Sequence, residues 1–452
     1  MRRRSVGTLM FGCLCGALLV GCAGGGSSAT RPAGVLPVGG NSAGVPAPRG
    51  GVRRTQSVPS CVGLGTGAFV GGGFENVADG AYSGVLEGNS NEACDEESSI
   101  AGGYYNFISS GANTSYYAFI GSGYDNSISA NGYQSVIGGG NVNSLTAPNS
   151  VIGGGNQNTL SGSDSVIAGG SQNTLSSAAS YAAIAGGSSN NLSAEYGFIG
   201  AGTNNTVSGE GAYIAAGGYN TASGEGAVVD GGFNSTANGT FATIPGGYAN
   251  SAAGTYSFAA GARASAAQAG TFVWSDGSDG DTMLTSARAY QFLARASGGV
   301  TFWTNAASTV GATLAPGSGT WASASDRKMK TNVASVDDAA VLDKVAGLPI
   351  STWSYISEHG VRHVGPMAQD FYAAFGVGED DKHITSIDED GVALAAIKAL
   401  HAQNALLLAQ QRSLRKRLAA MTALQSQQAR TEAATRRDLQ RLSAEVASLR
   451  ER

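Results

Sequence analysis

The sequence predicts a mainly β chain: a parallel β-roll or solenoid of repeats about 15 residues long, then a β-rich neck, a small charged α+β unit and a C-terminal coiled coil. Three observations carry this reading. Glycine supplies 69 of the 452 residues, roughly twice the usual ~7%, which marks a chain of tight corners. An apolar residue recurs before a Gly- or Ala-rich pair at Val70, Ile100, Ile120, Ile137, Ile152, Ile167, Ile184, Ile199, Ile214, Val229, Ile244 and Ala259, with a weaker member at Leu86; from Ile184 every step is 15 residues. Charge is segregated, because 33 of the 59 charged residues lie from Ser325 to Arg452.

Residues 1–21 have the form of an export signal: Arg2, Arg3 and Arg4 precede a Gly-rich apolar run from Val6 to Val20 that is too short to span a bilayer. Leu19-Val20-Gly21-Cys22 resembles the bacterial lipobox. That resemblance implies a diacylglycerol on Cys22, which becomes the mature N-terminus. Ala23 stands where an inner-membrane lipoprotein carries Asp, so the expected location is the outer membrane, lipid-anchored and surface-exposed; several acyl chains anchor stably where one does not. Residues 22–67, rich in Gly, Pro and Ser, read as a tether. With Cys13 and Cys15 leaving with the signal and Cys22 lipidated, Cys61 and Cys94 remain in an oxidising compartment. An intrachain disulfide, a bridge between subunits and two unpaired thiols all stay open.

Residues 68–269 form the repeat. Asn recurs six residues after the anchors, at Asn76, Asn106, Asn126, Asn143, Asn158, Asn173, Asn190, Asn205, Asn220 and Asn250, with Ser at 235. Eight residues after them comes a second apolar column, from Ile128, Leu145 and Leu160 to Ala252. Each unit thus holds two short strands that bury nothing alone but form a continuous core when stacked. Gly permits the corners, and the Asn column is structural, since Asn tolerates the left-handed region and bonds its own turn. From about Ala68 to Ala262 the pattern resembles the heads of trimeric autotransporter adhesins, which implies a left-handed parallel β-roll associated in threes. Those adhesins end in a membrane barrel; this chain ends in a polar helix, which leaves the N-terminal lipid as anchor.

Between Thr55 and Ala262 there is no Lys or Arg against thirteen acids. Nucleic acid is excluded as a partner of this region, because phosphate backbones demand a basic footprint. A glycan or protein ligand remains open, with Tyr104, Tyr105, Tyr116 and Tyr117 either stacking on sugars or simply favouring strands. Residues 270–324, with Phe272, Trp274, Phe292, Phe302 and Trp303, read as the neck. Asp276, Asp279 and Asp281 read as a solvated turn, since a calcium loop wants further oxygens at fixed spacing. His359 and His363 flank Gly360, which argues against a helical zinc pair. No metal and no cofactor are expected.

Residues 325–396 carry the chemistry. Ser325 and Lys330 lie five apart, and a Ser-Lys pair performs acyl chemistry when the amine is neutral, which burial or nearby cations such as Arg327 and Lys328 favour. Ser325-Asp326 through Lys330, Leu348-Pro349, Trp353 to Tyr355, Arg362 to Asp370 and Asp388 to Val392 resemble the intramolecular chaperone domain of endosialidase tailspikes and phage tail fibres. The resemblance implies an autocatalytic serine endopeptidase acting once on its own chain, with Ser325 as nucleophile, Lys330 as general base and scission between Ala324 and Ser325. It also implies supporting places for Asp326, and for His363 and Gln369, which either hold the cleavage loop or are core polar residues satisfied by turns. The family often has Arg three residues after the Ser, where Lys328 stands here, so folding assistance is the firmer expectation.

Residues 397–452 follow heptads, with Ile397, Asn404, Gln411, Leu418, Gln425, Glu432, Leu439 and Val446 on one line and Leu400, Leu407, Leu414, Met421, Gln428, Thr435, Leu442 and Leu449 on the other, the run from Gln425 to Thr435 being a weak middle. Three chains are expected because both resemblances point there. The composite expectation is a homotrimeric, fibre-like surface lipoprotein with a structural or adhesive head; the alternatives are a surface glycan-active enzyme and a phage-derived tail fibre that uses the same chaperone.

Overall fold

The computed structural model describes residues 61, 64–109, 116–129 and 131–451. The expected signal peptide, the Cys22 lipidation site and nearly all of the tether lie outside the described residues. The chain divides into a unit that runs up to Arg295 and a second that starts at Ala296.

The first unit is a parallel β-solenoid with one sheet of 16 strands and another of 14, most strands only two residues long. Each strand pairs with its counterpart in the next repeat. Val151 and Ile152 pair with Val166 and Ile167 in the first sheet, and Thr159 and Leu160 with Thr174 and Leu175 in the second. A repeat in the sequence thereby becomes a column in space. In these strands the second residue points inward, so Ile152, Ile167, Leu160 and Leu175 are fully buried. Burying such a side chain contributes about 1.5–3 kcal/mol, but only with a rung above and below it, which makes the stack cooperative along its length. The first-sheet column passes through Val85, which pairs with Ile100 and is buried, while Leu86 is exposed. The anchor expected at Leu86 therefore sits one residue earlier, and Asn91 falls into line with the Asn column.

The Asn side chains lie inside and tie rung to rung. Asn158 donates Nδ2 to Gly154 O at 3.1 Å in its own rung and to Gly170 O at 3.0 Å in the next. Its backbone N–H and Nδ2 also donate to Asn143 Oδ1, at 3.0 and 3.1 Å. Ser235 keeps the chain going, since its N–H donates to Asn220 Oδ1 and its Oγ accepts from Asn250 N. The expectation that Asn itself takes the left-handed conformation is corrected. The residue before it does so, Val142 at φ 55° and Gln157 at φ 57°, because the corner must turn there for the amide to reach inward to two carbonyls. Gly155, at φ 101°, marks a close approach between rungs: a Cβ there would collide with Gly170 O.

The solenoid runs past its expected end at residue 269. Phe272–Asp276 and Phe292–Arg295 continue the first sheet and Leu284–Thr285 the second. The 15-residue period is lost because a longer turn enters, yet Phe272 still pairs with Phe292 and the rings stack at 4.8 Å. The turn acids are occupied by protein groups: Asp281 pairs with Arg263 at 2.6 Å, Asp279 with Arg295 at 3.1 Å, and Asp276 Oδ1 accepts from Ser278. At the other end, Cys61 and Cys94 form an intrachain disulfide. Glu92 lies beside them and its burial raises the carboxyl pKa, but both sulfurs are spent in the bond and leave no thiolate for a metal.

The second unit begins with an antiparallel sheet of Val300–Trp303, Gly311–Leu314 and Trp321–Ser323, followed by a short 3-10 turn at Arg327–Met329. Helix α1, Asp338–Gly347, is capped by Asp337, which accepts from Ala339 N and Ala340 N. Ser351–Trp353 pairs antiparallel with His363–Gly365. Helix α2, Ala368–Phe375, ends at Gly376 with φ 63°, and helix α3 runs unbroken over Ser386–Arg450. The helix expected from 397 thus begins eleven residues earlier. Its first turns pack on α1, burying Ala396 and Ala399 and pairing Lys398 with Asp338 at 2.6 Å. Beyond them the heptad residues Leu407, Leu418 and Leu442 stand 57–65% exposed in the single chain.

Asn158→Ala should cost about 1–3 kcal/mol by leaving Asn143 Oδ1 and two buried carbonyls short of donors, while the exposed neighbour Asn156→Ala should stay within ~0.5 kcal/mol; denaturant unfolding of the two variants checks both. Reducing the disulfide, which closes a 33-residue separation, should destabilise the first unit by about 3–4 kcal/mol on loop-entropy grounds, read as a drop in melting temperature with added reductant.

Candidate functional site

The last strand of the antiparallel sheet, Trp321–Ser323, delivers Ala324 and Ser325 into a turn. Ala324 N donates to Gly311 O at 3.1 Å, so the residue before Ser325 is still held by the sheet edge. Asp326 then caps the 3-10 turn, its Oδ1 accepting from Lys328 N at 2.9 Å. Capping Asp, Ser and Asn residues are favoured where first-turn N–H groups lack partners. That single turn folds the chain back, and Lys330 Nζ donates to Ser325 Oγ at 2.7 Å. Both side chains are exposed in the single chain. The five-residue spacing read in the sequence is one strand exit plus one 3-10 turn. Asp326 sits in this arrangement as the cap that shapes the turn.

His363 and Gln369 lie elsewhere in the unit. His363 Nε2 is 2.9 Å from Glu358 Oε2, and its ring lies 4.7 Å from that of Trp353 and 5.7 Å from that of Tyr355. These contacts build an aromatic cluster on the short antiparallel pair, and none of them reaches Ser325 or Lys330. Gln369 stands exposed in the first turn of α2. Glu358 was missed in the sequence, where it looks like any polar residue of a turn; only the fold of Trp353 to His363 brings it to the imidazole. The indole Nε1 of Trp353 is buried without a hydrogen-bond partner. A groove of about 490 Å³ lies among α1, α2 and the start of α3, lined by Val336, Val341, Phe375, Val377, Ile387 and Val392 among others, and it contains none of the site residues.

A peptidase-family model, Chaperone of endosialidase, matches residues 325–376. The match begins at Ser325 and takes in the Ser325–Lys330 pair, α1, the antiparallel pair with His363, and all of α2. It covers well under half of the chain, so the solenoid and the N-terminal region stand outside it. No curated protein matches the chain. An endosialidase chaperone domain behind a parallel β-solenoid, with a long C-terminal helix, fits a tail-fibre-like trimeric protein.

The start of α3 depends on Thr385, whose Oγ1 accepts from Asp388 N at 3.2 Å and donates to Asp388 Oδ2 at 2.6 Å. Thr385→Ala should therefore destabilise the second unit by about 1 kcal/mol and Thr385→Ser by much less, measured by denaturant unfolding of the full chain.

Proposed function

We propose that this chain is a trimeric, fibre-like surface protein whose C-terminal domain directs its assembly and then cuts the chain before Ser325. The observation that carries the reading is the 2.7 Å contact between Lys330 Nζ and Ser325 Oγ at the first residue of the matched domain. Ser325 follows the bond to be broken, so its own Oγ attacks the carbonyl carbon of Ala324. Lys330 takes the hydroxyl proton and passes it to the Ser325 nitrogen as the C–N bond opens, which leaves an ester between Ala324 and Ser325 Oγ. Water then hydrolyses the ester, giving a carboxylate on Ala324 and a free amine and hydroxyl on Ser325. The burial that a lysine base requires has to come from neighbouring copies, which ties scission to assembly.

The helix α3 supplies the clamp. A stretch of it is long and apolar enough to cross a membrane by composition alone, but Ile397, Leu400, Leu407, Leu414, Leu418 and Met421, and again Leu439, Leu442, Val446 and Leu449, lie on the two heptad lines that a coiled coil needs, with polar residues at those places from Gln425 to Thr435. A clamp that aligns three chains gives their solenoids a common start, and its removal leaves the assembly unable to exchange back. The head then serves a structural or adhesive role. Lipidation at Cys22 and an outer-membrane, surface-exposed location complete the proposal, resting on the lipobox-like Leu19-Val20-Gly21-Cys22. A glycosidase head lacks support, since Glu195, Glu210 and Glu225 stand one rung apart in a single column where two carboxylates across a cleft are needed.

Intact mass and N-terminal sequencing under denaturing conditions test the reading. Wild type should yield a fragment beginning at Ser325, and Ser325→Ala and Lys330→Ala should remain full length; full-length wild type would make the domain a permanent stalk.

A further inference from the structure

The two sheets of the solenoid turn different chemistry outward. On the first sheet the outward column reads Val136, Val151, Val166, Ala183, Phe198, Tyr213, Val228, and the rings of Phe198 and Tyr213 stack at 5.3 Å. Beside it runs a line of small residues, Gly138, Gly153, Ala168 and Gly200, each next after a buried anchor. Val151 is 36% and Val166 40% exposed, so the column is open to water in the single chain. The second sheet presents Ser144, Thr159, Thr174, Thr206, Thr221 and Thr236 at the equivalent outward places. Large apolar surfaces that continue along a whole face are covered in a working protein, and the threonine face is suited to solvent.

Charge placement identifies what covers it. Of the thirteen acids between Thr55 and Ala262, only Asp230 occupies a position next to a first-sheet anchor. A head with no basic residue there repels its own copies through every surface that carries those acids, and the first sheet is the surface that carries almost none. A glycan would find few hydrogen-bond partners on it, and a basic protein would be drawn to the acids elsewhere. A second copy fits. In parallel register, the Val and Phe column of one chain meets the Gly and Ala line of its neighbour, where the missing side chains admit close approach. The 15 strands stacked along this sheet, at ~4.8 Å each and roughly 10 Å of face width, offer about 700 Å² per copy, close to the ~800 Å² per partner of stable interfaces.

We propose that the outer face of the first sheet, centred on the Val136 to Val228 column, is the surface through which copies of this head pack on one another, with the threonine-bearing second sheet turned to the outside. This rests on the trimeric reading above and adds the face that serves it.

The test uses full-length protein carrying Val151→Cys or Thr159→Cys, treated with a short bismaleimide and run on a denaturing gel, with native mass measured in parallel and wild type as background. Cys61 and Cys94 are bonded to each other and do not compete. The expected result is loss of the single-chain band to crosslinked chains for Val151→Cys and none for Thr159→Cys. Val166→Cys, one rung on, repeats the reading if Val151→Cys fails to assemble. A trimeric native mass with no crosslink at Val151 or Val166, or with equal crosslinking at Thr159, overturns the face while leaving the trimer standing. A single-chain native mass for wild type overturns both.

Discussion

The solenoid depends on one repeated interaction, the side-chain amide of a buried Asn that reaches two backbone carbonyls and hands its own oxygen to the next rung. Strands of two residues have too few ladder bonds to define their register. The amide does so, because Asn158 touches Gly154, Gly170 and Asn143 together and no slipped arrangement satisfies all three. The glycine three residues before each Asn then becomes obligatory, since the same carbonyl that accepts from the amide leaves no room for a Cβ. Apolar columns add the bulk of the stability once this spacing is set. Buried polar groups inside a stack are tolerable when they find partners, and rung after rung repeats this amide pattern, with Ser235 standing in once for the Asn.

Such a fold has a starting difficulty. A rung gains its burial and its amide bonds from neighbours, so the first one to form has neither. Aligning several chains from one end removes that difficulty by fixing where stacking begins, and a capped helix of 65 residues, roughly 100 Å long, is a device of the right kind. The matched chaperone segment lies between that helix and the solenoid in sequence. Its Ser325 stands at the exit of the small antiparallel sheet, which puts the bond proposed for scission ahead of the whole matched segment.

Much of this was legible in the residues, for reasons that also explain the misses. Columns at 15-residue steps translate directly into pairing register, so Ile152 over Ile167 could be read off. Val85 and Leu86 are both apolar, and only the inward pleat distinguishes them. A lengthened turn after residue 269 erases the period, so the repeat pattern ends there in the sequence, although strand pairing through Phe272 and Phe292 survives it. Left-handed backbone at Val142 has no signal in that residue, since the corner is imposed by the stack. The closeness of Ser325 and Lys330 was visible as a spacing, whereas the Glu358 and His363 contact forms across an irregular turn that carries no pattern.

The disulfide between Cys61 and Cys94 acquires meaning from its place at the N-terminal end of the stack. A one-dimensional array loses its terminal rung more easily than any other, and an unpaired parallel edge is also where foreign strands add. Residue 61 precedes the first strand at Phe69–Val70, and Cys94 follows the second-sheet strand Glu92–Ala93 of the next rung. The covalent bond staples the outermost turn to the one beneath it, as a hem keeps cloth from fraying. Unravelling from that end must therefore release two rungs at once.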